Sequence, residues 1–275
     1  MLNPKFLQPS ARLPALFVAH GSPMNVLPGN RWHDRWQALG AQFGSRWPVP
    51  RLIVCISAHW LTDGWWLTAM AQPKTIHDFG GFPSNLFAQQ YPAPGWPDAA
   101  RELATMLIQP GSNEPLQLDD HEWGLDHGTW GVLKPMFPLA DIPVIQLSMD
   151  YHRPVIEHFA LGQQLRALRD LGVLIVASGN IVHNLRSMQR EAADDQAYDW
   201  AHEFDQTIAD FLENSNMQAL QDFQQLPTAR LAHPSYDHLL PLLYAAGAAW
   251  PEEQSEFFNL GFQAASISMR SVIWG

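Results

Sequence analysis

Residues 154–184, PVIEHFALGQQLRALRDLGVLIVASGNIVHN, decide the fold class. Pro154 suits the first turn of a helix, where its missing N–H forfeits no bond and its fixed φ is already helical. Ile156, Phe159, Leu165 and Leu168 then recur on one helical spacing and Gly172 marks a stop, which predicts a helix over 154–171. The run that follows, 173–178, is unbroken in apolar residues and rich in β-branched ones. That pattern suits a strand covered on both faces, as in a parallel sheet. Outward from this unit, strand-like runs fall at 14–19, 52–57, 66–70, 143–148 and 264–269, and helix-like segments at 31–43, 97–109, 197–213 and 238–249. Strands alternating with helices predict an α/β fold: a mostly parallel or mixed central sheet flanked by helices on both faces. No repeat, low-complexity tract or linker divides the chain, so residues 1–275 are read as one domain.

Composition narrows the function. The 27 acidic residues outnumber 16 basic ones, only three of them lysine, for a formal charge of -11. Nucleic acid or an anionic membrane needs a basic patch, and the sequence supplies none. The single cysteine, Cys55, excludes an internal disulfide, and its apolar run (52–56) marks it as a buried hydrophobe. No apolar stretch reaches the ~18 residues of a membrane span. The first residues, Met1 to Phe6, carry Pro and polar groups where a signal peptide has its apolar region. A cytoplasmic protein is therefore expected.

Histidine is the residue in excess, at twelve. Three histidines fall at or just beyond the carboxyl ends of predicted strands: His20 before Gly21-Ser22-Pro23, His59 in Ser57-Ala58-His59-Trp60, and His183 after Ser178-Gly179-Asn180. In an open α/β sheet, ligands bind in the crevice outside those strand ends, and neutral imidazole is the commonest metal ligand. His238, in 233–243, is placed in the first turn of a buried helix. Its neighbour Asp237 competes as a carboxylate ligand, and side chains about 100° apart on a helix cannot both reach one ion. On spacing alone the two remain alternatives. His127, among Trp123, Trp130 and three glycines, reads either as a pocket wall or as a turn pinned by Asp126. His77, before Asp78-Phe79-Gly80-Gly81-Phe82-Pro83, reads as part of a tight loop near the same crevice. His33, His121, His152, His158, His202 and His233 are read as surface or structural. The polar stretch 186–199 reads as an exposed connection or a lid. Phosphate-loop, His-Glu-x-x-His and Gly-x-Ser-x-Gly patterns are missing, which removes support from nucleotide-dependent and serine-hydrolase readings.

Several motifs together resemble one family. These are 14–17, His20-Gly21-Ser22-Pro23-Met24-Asn25, Ser57-Ala58-His59-Trp60, the 76–83 loop, Tyr91-Pro92-Ala93-Pro94-Gly95 and 178–185. The chain resembles the 4,5-DOPA extradiol dioxygenases, LigB-like class III ring-cleavage enzymes, from about residue 13 onward. The resemblance implies a single α/β domain, a non-haem metal, and small-molecule partners in a catechol and dioxygen. It implies His20, His59 and His238 as metal ligands, His183 as acid/base and His127 in the substrate pocket; His127 is also read as catalytic, and His77, from its loop, as substrate-binding. The family's acid-His-x-Leu-Pro-Leu-Leu pattern favours His238 over Asp237. Fe(II) is the expected metal for oxygenase chemistry, and Zn(II) suits the same imidazoles. A zinc hydrolase and a non-catalytic binding protein of this fold are the alternatives.

Overall fold

The computed structural model describes residues 6–275. Its strands are β1 (Ala15–Ala19), β2 (Leu52–Thr62), β3 (Trp66–Thr68), β4 (Gln117–Asp119), β5 (Val144–Asp150), β6 (Val173–Gly179), β7 (Ser255–Phe258), β8 (Phe262–Gln263), β9 (Ile267–Ser268) and β10 (Ser271–Trp274). The α-helices are α1 (Arg31–Gly40), α2 (Ser84–Phe87), α3 (Pro97–Met106), α4 (His127–Met136), α5 (Val155–Leu165), α6 (Asp199–Glu213), α7 (Met217–Gln221), α8 (Ala229–Ala232) and α9 (Leu240–Ala248). Eight strands form one mixed sheet in the order β4-β3-β5-β2-β6-β1-β10-β7. Its centre, β5-β2-β6-β1, is parallel, and β10 and β7 extend it antiparallel beyond β1. Helices cover both faces, as expected for an α/β domain.

Alternation along the central strands builds two cores. Phe17, Val54, Ile56 and Ile175 pack with α3, α5, α6 and α9 on one side. Val18, Ile53, Cys55 and Val176 pack with α1 and α4 on the other. Because successive side chains of a strand point to opposite faces, the continuous apolar runs are what a sheet covered twice requires. Burial pushes the Cys55 thiol up, so it is an inert core residue.

Several boundaries differ from the sequence reading, each for a local reason. The 154–171 helix is α-helical only to Leu165, tightens into a 3-10 turn over Arg166–Leu171, and stops at the left-handed Gly172 (φ 79°). Ile156, assigned to its buried face, is exposed. The strand expected at 264–269 is broken by the left-handed pair Ala264 and Ala265 into a separate hairpin, β8 and β9. The sheet strand at this end is instead β10. Strand β2 runs on past 57 to Thr62, with an irregularity between Ile56 and Leu61. His59 therefore lies within a strand rather than after it. No strand was expected at β4 or β7, which are short and part polar, and α4 was hidden by Gly128, Gly131 and Pro135. Among the described residues no helix is long and apolar enough to cross a membrane.

Two of the histidines read as surface or structural, His158 and His233, are fully buried. His158 on α5 meets the Tyr244 hydroxyl of α9 at 2.8 Å, and Trp65 donates to the same oxygen at 2.7 Å. The hydroxyl thus links the Trp65 indole to the His158 ring. Burial lowers His158 from its ordinary value to about 4. Between about pH 6.5 and 4 the unfolded chain holds a proton here that the folded chain refuses, so stability falls as pH falls through that window, by roughly 1.4 kcal/mol per pH unit. Chemical unfolding at pH 7 and pH 5 checks this. The wild type is expected to lose about 2 kcal/mol more over that interval than His158→Gln, and equal losses would contradict the assignment.

Candidate active site

The carboxyl ends of the parallel strands converge on one group of imidazoles. His20 immediately follows β1, and the turn after it is made possible by Gly21 (φ 58°), where a side chain would collide with Asn25, Gln263 and Met269. His59 projects from the distal part of β2. His238 comes from the segment before α9, pressed against the end of β6, where Asn180 N–H donates to the His238 carbonyl at 2.8 Å. A side chain at Gly179 would collide with that same carbonyl. This approach, closed to any residue larger than glycine, carries His238 to the strand ends.

The rings of His20, His59 and His238 form a nearly equilateral triangle, with centroids 4.9, 5.1 and 5.2 Å apart. One ligating atom from each lies within 4.8 Å of the others. Nε2 of His59 and Nε2 of His238 are 3.1 Å apart, a spacing that two nitrogens each about 2.1 Å from one ion adopt. On the far side each ring is held at Nδ1: His20 by the Ser178 hydroxyl at 3.0 Å, His59 by Asp78 at 2.8 Å, His238 by Asp237 at 2.6 Å. A carboxylate accepts only, so each acid favours the tautomer with the proton at Nδ1, the one that leaves Nε2 bare toward the centre of the triangle. Asp237 and His238 precede α9 rather than lying on it, so helical spacing does not separate them. Asp237 supports His238 instead of joining the triangle.

His183 lies beyond β6 with its ring stacked on His238, 3.5 Å between centroids and 4° from parallel. Its backbone N–H donates to Ala232 at 3.0 Å. His127 is the first residue of α4, whose N-cap is Asp126, and its ring lies 4.0 Å from that of His59. The helix start replaces the turn that the sequence suggested. His77 is set one layer back. Its Nε2 meets the Gln89 carbonyl at 2.9 Å and its ring packs on Phe79, Phe87 and Trp130, with Phe79 standing between it and His127. The 186–199 connection is anchored, through Gln189 to Ala264, Tyr198 to Ala265 and an ion pair between Arg31 and Asp195.

Asp78 escaped the sequence reading, and Asp126, read only as the pin of a turn, does more. Asp78 touches both His59 and His127, at 2.8 and 2.9 Å, and the three form a second group with metal-ligand spacing. Asp126, fully buried, accepts from Ser57 at 2.7 Å, from Thr129 N–H and from Gln146. Asp78 was visible as an acid inside a histidine-aromatic loop, yet nothing in its local sequence names partners so far along the chain.

Electrostatics set the protonation. Burial, aided by neighbouring imidazoles, holds His20 and His183 well below the ordinary histidine value and His127 at about 4. Burial also opposes charge on His59, but Asp78 and the surrounding carboxylates outweigh it and raise this ring. Burial alone would raise Asp78 and Asp237, yet hydrogen bonds from the imidazoles keep both below the usual carboxylate range. Three imidazoles converging, with ionised acids behind two of them, match the donor set of a divalent transition-metal ion. The residues fit such an ion.

Comparison with known proteins points the same way. The model of the catalytic LigB subunit of aromatic ring-opening dioxygenase matches residues 14–272. A 4,5-DOPA dioxygenase extradiol of Escherichia coli K12 is 44% identical over 271 residues, covering 96% of this chain and 95% of that protein. Its namesake from Beta vulgaris is 35% identical, covering 93% and 94%. A crystal structure of an uncharacterized protein of Escherichia coli K12 superposes with a TM-score of 0.81 at 40% identity, covering 96% of this chain and all of that one.

Proposed function

Because the chain belongs to the LigB family of aromatic ring-opening dioxygenases and is an extradiol dioxygenase, we propose that it opens a DOPA-like catechol at the 4,5 position, using a divalent metal held by His20, His59 and His238. The observation that carries this reading is the triangle of imidazoles, each held at Nδ1. Fe(II) held by these three rings would supply a redox-active Lewis acid at which a catechol and dioxygen could react. Zn(II) fits the same nitrogens but has no redox chemistry, so a zinc-loaded protein binds catechol without turnover. The reaction consumes one catechol and one dioxygen, and both oxygen atoms end in the ring-opened semialdehyde.

The remaining roles belong to this chain's own side chains. His183, kept neutral by burial and fixed face to face with His238, accepts a proton from a catechol hydroxyl and returns it later in the reaction. His127, whose Nδ1 lies 2.9 Å from Asp78, offers Nε2 as an acceptor for the second hydroxyl. Phe79, edge-on to His127 at 5.4 Å, forms an apolar wall for the substrate ring, and His77 braces Phe79 from behind. The single buried thiol and acidic surface suit an enzyme of the cytoplasm.

Two experiments test the reading. After anaerobic reconstitution with Fe(II), DOPA is expected to give a yellow ring-opened product only when oxygen is admitted, with one oxygen consumed per product. Turnover without oxygen would support a zinc-type hydrolase, and neither product nor oxygen uptake with any catechol would support a binding protein. Metal content separates the roles. His20→Ala and His59→Ala are expected to bind less than about a tenth of the wild-type iron at limiting Fe(II), whereas His183→Ala keeps its iron and loses at least about 100-fold in kcat. Undiminished metal in both ligand variants would contradict the assignment.

A further inference from the structure

One carboxylate serves two rings of the site. Asp78 Oδ2 lies 2.8 Å from Nδ1 of His59, while Oδ1 lies 2.9 Å from Nδ1 of His127 and accepts the His127 backbone N–H at 2.9 Å. The loop bearing it is pinned to the start of α4 from both directions. Ile76 N–H donates to Leu125 at 2.7 Å, and Trp130 Nε1 donates to the Ile76 carbonyl at 2.7 Å. Asp78 thus has little freedom to leave either ring. Both contacts are within hydrogen-bond distance although neither ring nitrogen has the angle of a formed bond; because a carboxylate can only accept, a bond to either ring takes its proton at Nδ1 and leaves Nε2 bare.

Resting on the metal and substrate roles proposed above, we infer that Asp78 is a positioning residue that fixes the tautomer of His59 and of His127 together, so that one side chain prepares both metal capture and catechol binding. The loop that carries Asp78 also carries Phe79, the wall for the substrate ring. Metal site and substrate pocket therefore share a single anchor rather than two independent ones.

The arrangement predicts an asymmetric response to substitution. In Asp78→Asn the amide oxygen stays opposite the His127 backbone N–H, which needs an acceptor. The amide NH2 then faces His59. A donor at that place moves the His59 proton to Nε2 and blocks its lone pair, while His127 keeps its acceptor. Asp78→Ala removes the partner of both rings.

The test uses the full chain with zinc, which binds without turning over. Zinc affinity is measured by competition with a chromophoric chelator, and catechol binding by the absorbance of 4-nitrocatechol on the zinc-saturated protein. Asp78→Asn and Asp78→Ala are expected to weaken zinc binding by about 10- to 100-fold, and His127→Ala to change it by less than about threefold. Binding of 4-nitrocatechol is expected to weaken about tenfold in His127→Ala and Asp78→Ala and to stay within about threefold of wild type in Asp78→Asn. Should Asp78→Ala fail to fold, the split between zinc and catechol binding in Asp78→Asn still decides. Wild-type zinc affinity in a folded Asp78→Asn overturns the inference alone. A wild-type protein that takes up no zinc, or a His127→Ala variant that binds 4-nitrocatechol as wild type does, overturns it together with the reading on which it rests.

Discussion

An imidazole can offer a lone pair at one nitrogen only if its proton is kept at the other, and three rings must make that choice in the same direction before they can share an ion. In this protein the choice is made by neighbours outside the triangle. Asp78, Asp237 and Ser178 occupy the three Nδ1 positions at 2.6 to 3.0 Å. The inward nitrogens of His59 and His238 lie 3.1 Å apart, so a proton on either closes the site as a hydrogen bond. The proposed chemistry depends on this outer ring of two carboxylates and a hydroxyl as much as on the imidazoles themselves.

The fold delivers both sets of groups from parts of the chain that are distant in sequence. Parallel strands β1, β2 and β6 bring His20, His59 and Ser178 to one end of the sheet, and the α/β rule that ligands collect at such ends applies here. His238 arrives differently, on a segment laid against Gly179 and Asn180. The two apolar cores lie beneath this end, and each fully buried Leu or Ile in them contributes roughly 2 kcal/mol. That surplus supports a site in which desolvated polar rings crowd one another.

Much of the architecture was legible because burial leaves a periodic mark. The run 173–178 and its siblings identified the parallel centre, and the histidines placed after Ala19 and near Gly179 pointed to the crevice. What escaped had no such mark. Helix α4 is interrupted by Gly128, Gly131 and Pro135, so its apolar face does not read as helical. Ala264 and Ala265 adopt left-handed conformations that no local propensity favours, which turned one expected strand into a hairpin. Asp237 looked like a rival ligand when assigned to a helix, and became a support once the backbone placed it outside. Asp78 was quoted within a motif but given no role, because its partners, His59 and His127, are joined to it only by the tertiary fold.

The proposed chemistry requires one ion among the inward nitrogens of His20, His59 and His238. Diffraction from crystals grown with zinc, recorded on either side of the zinc absorption edge, tests it directly. The account predicts a single strong anomalous peak about 2.1 Å from Nε2 of each of the three rings. A peak instead among His59, Asp78 and His127, or no peak at the imidazoles, would contradict it.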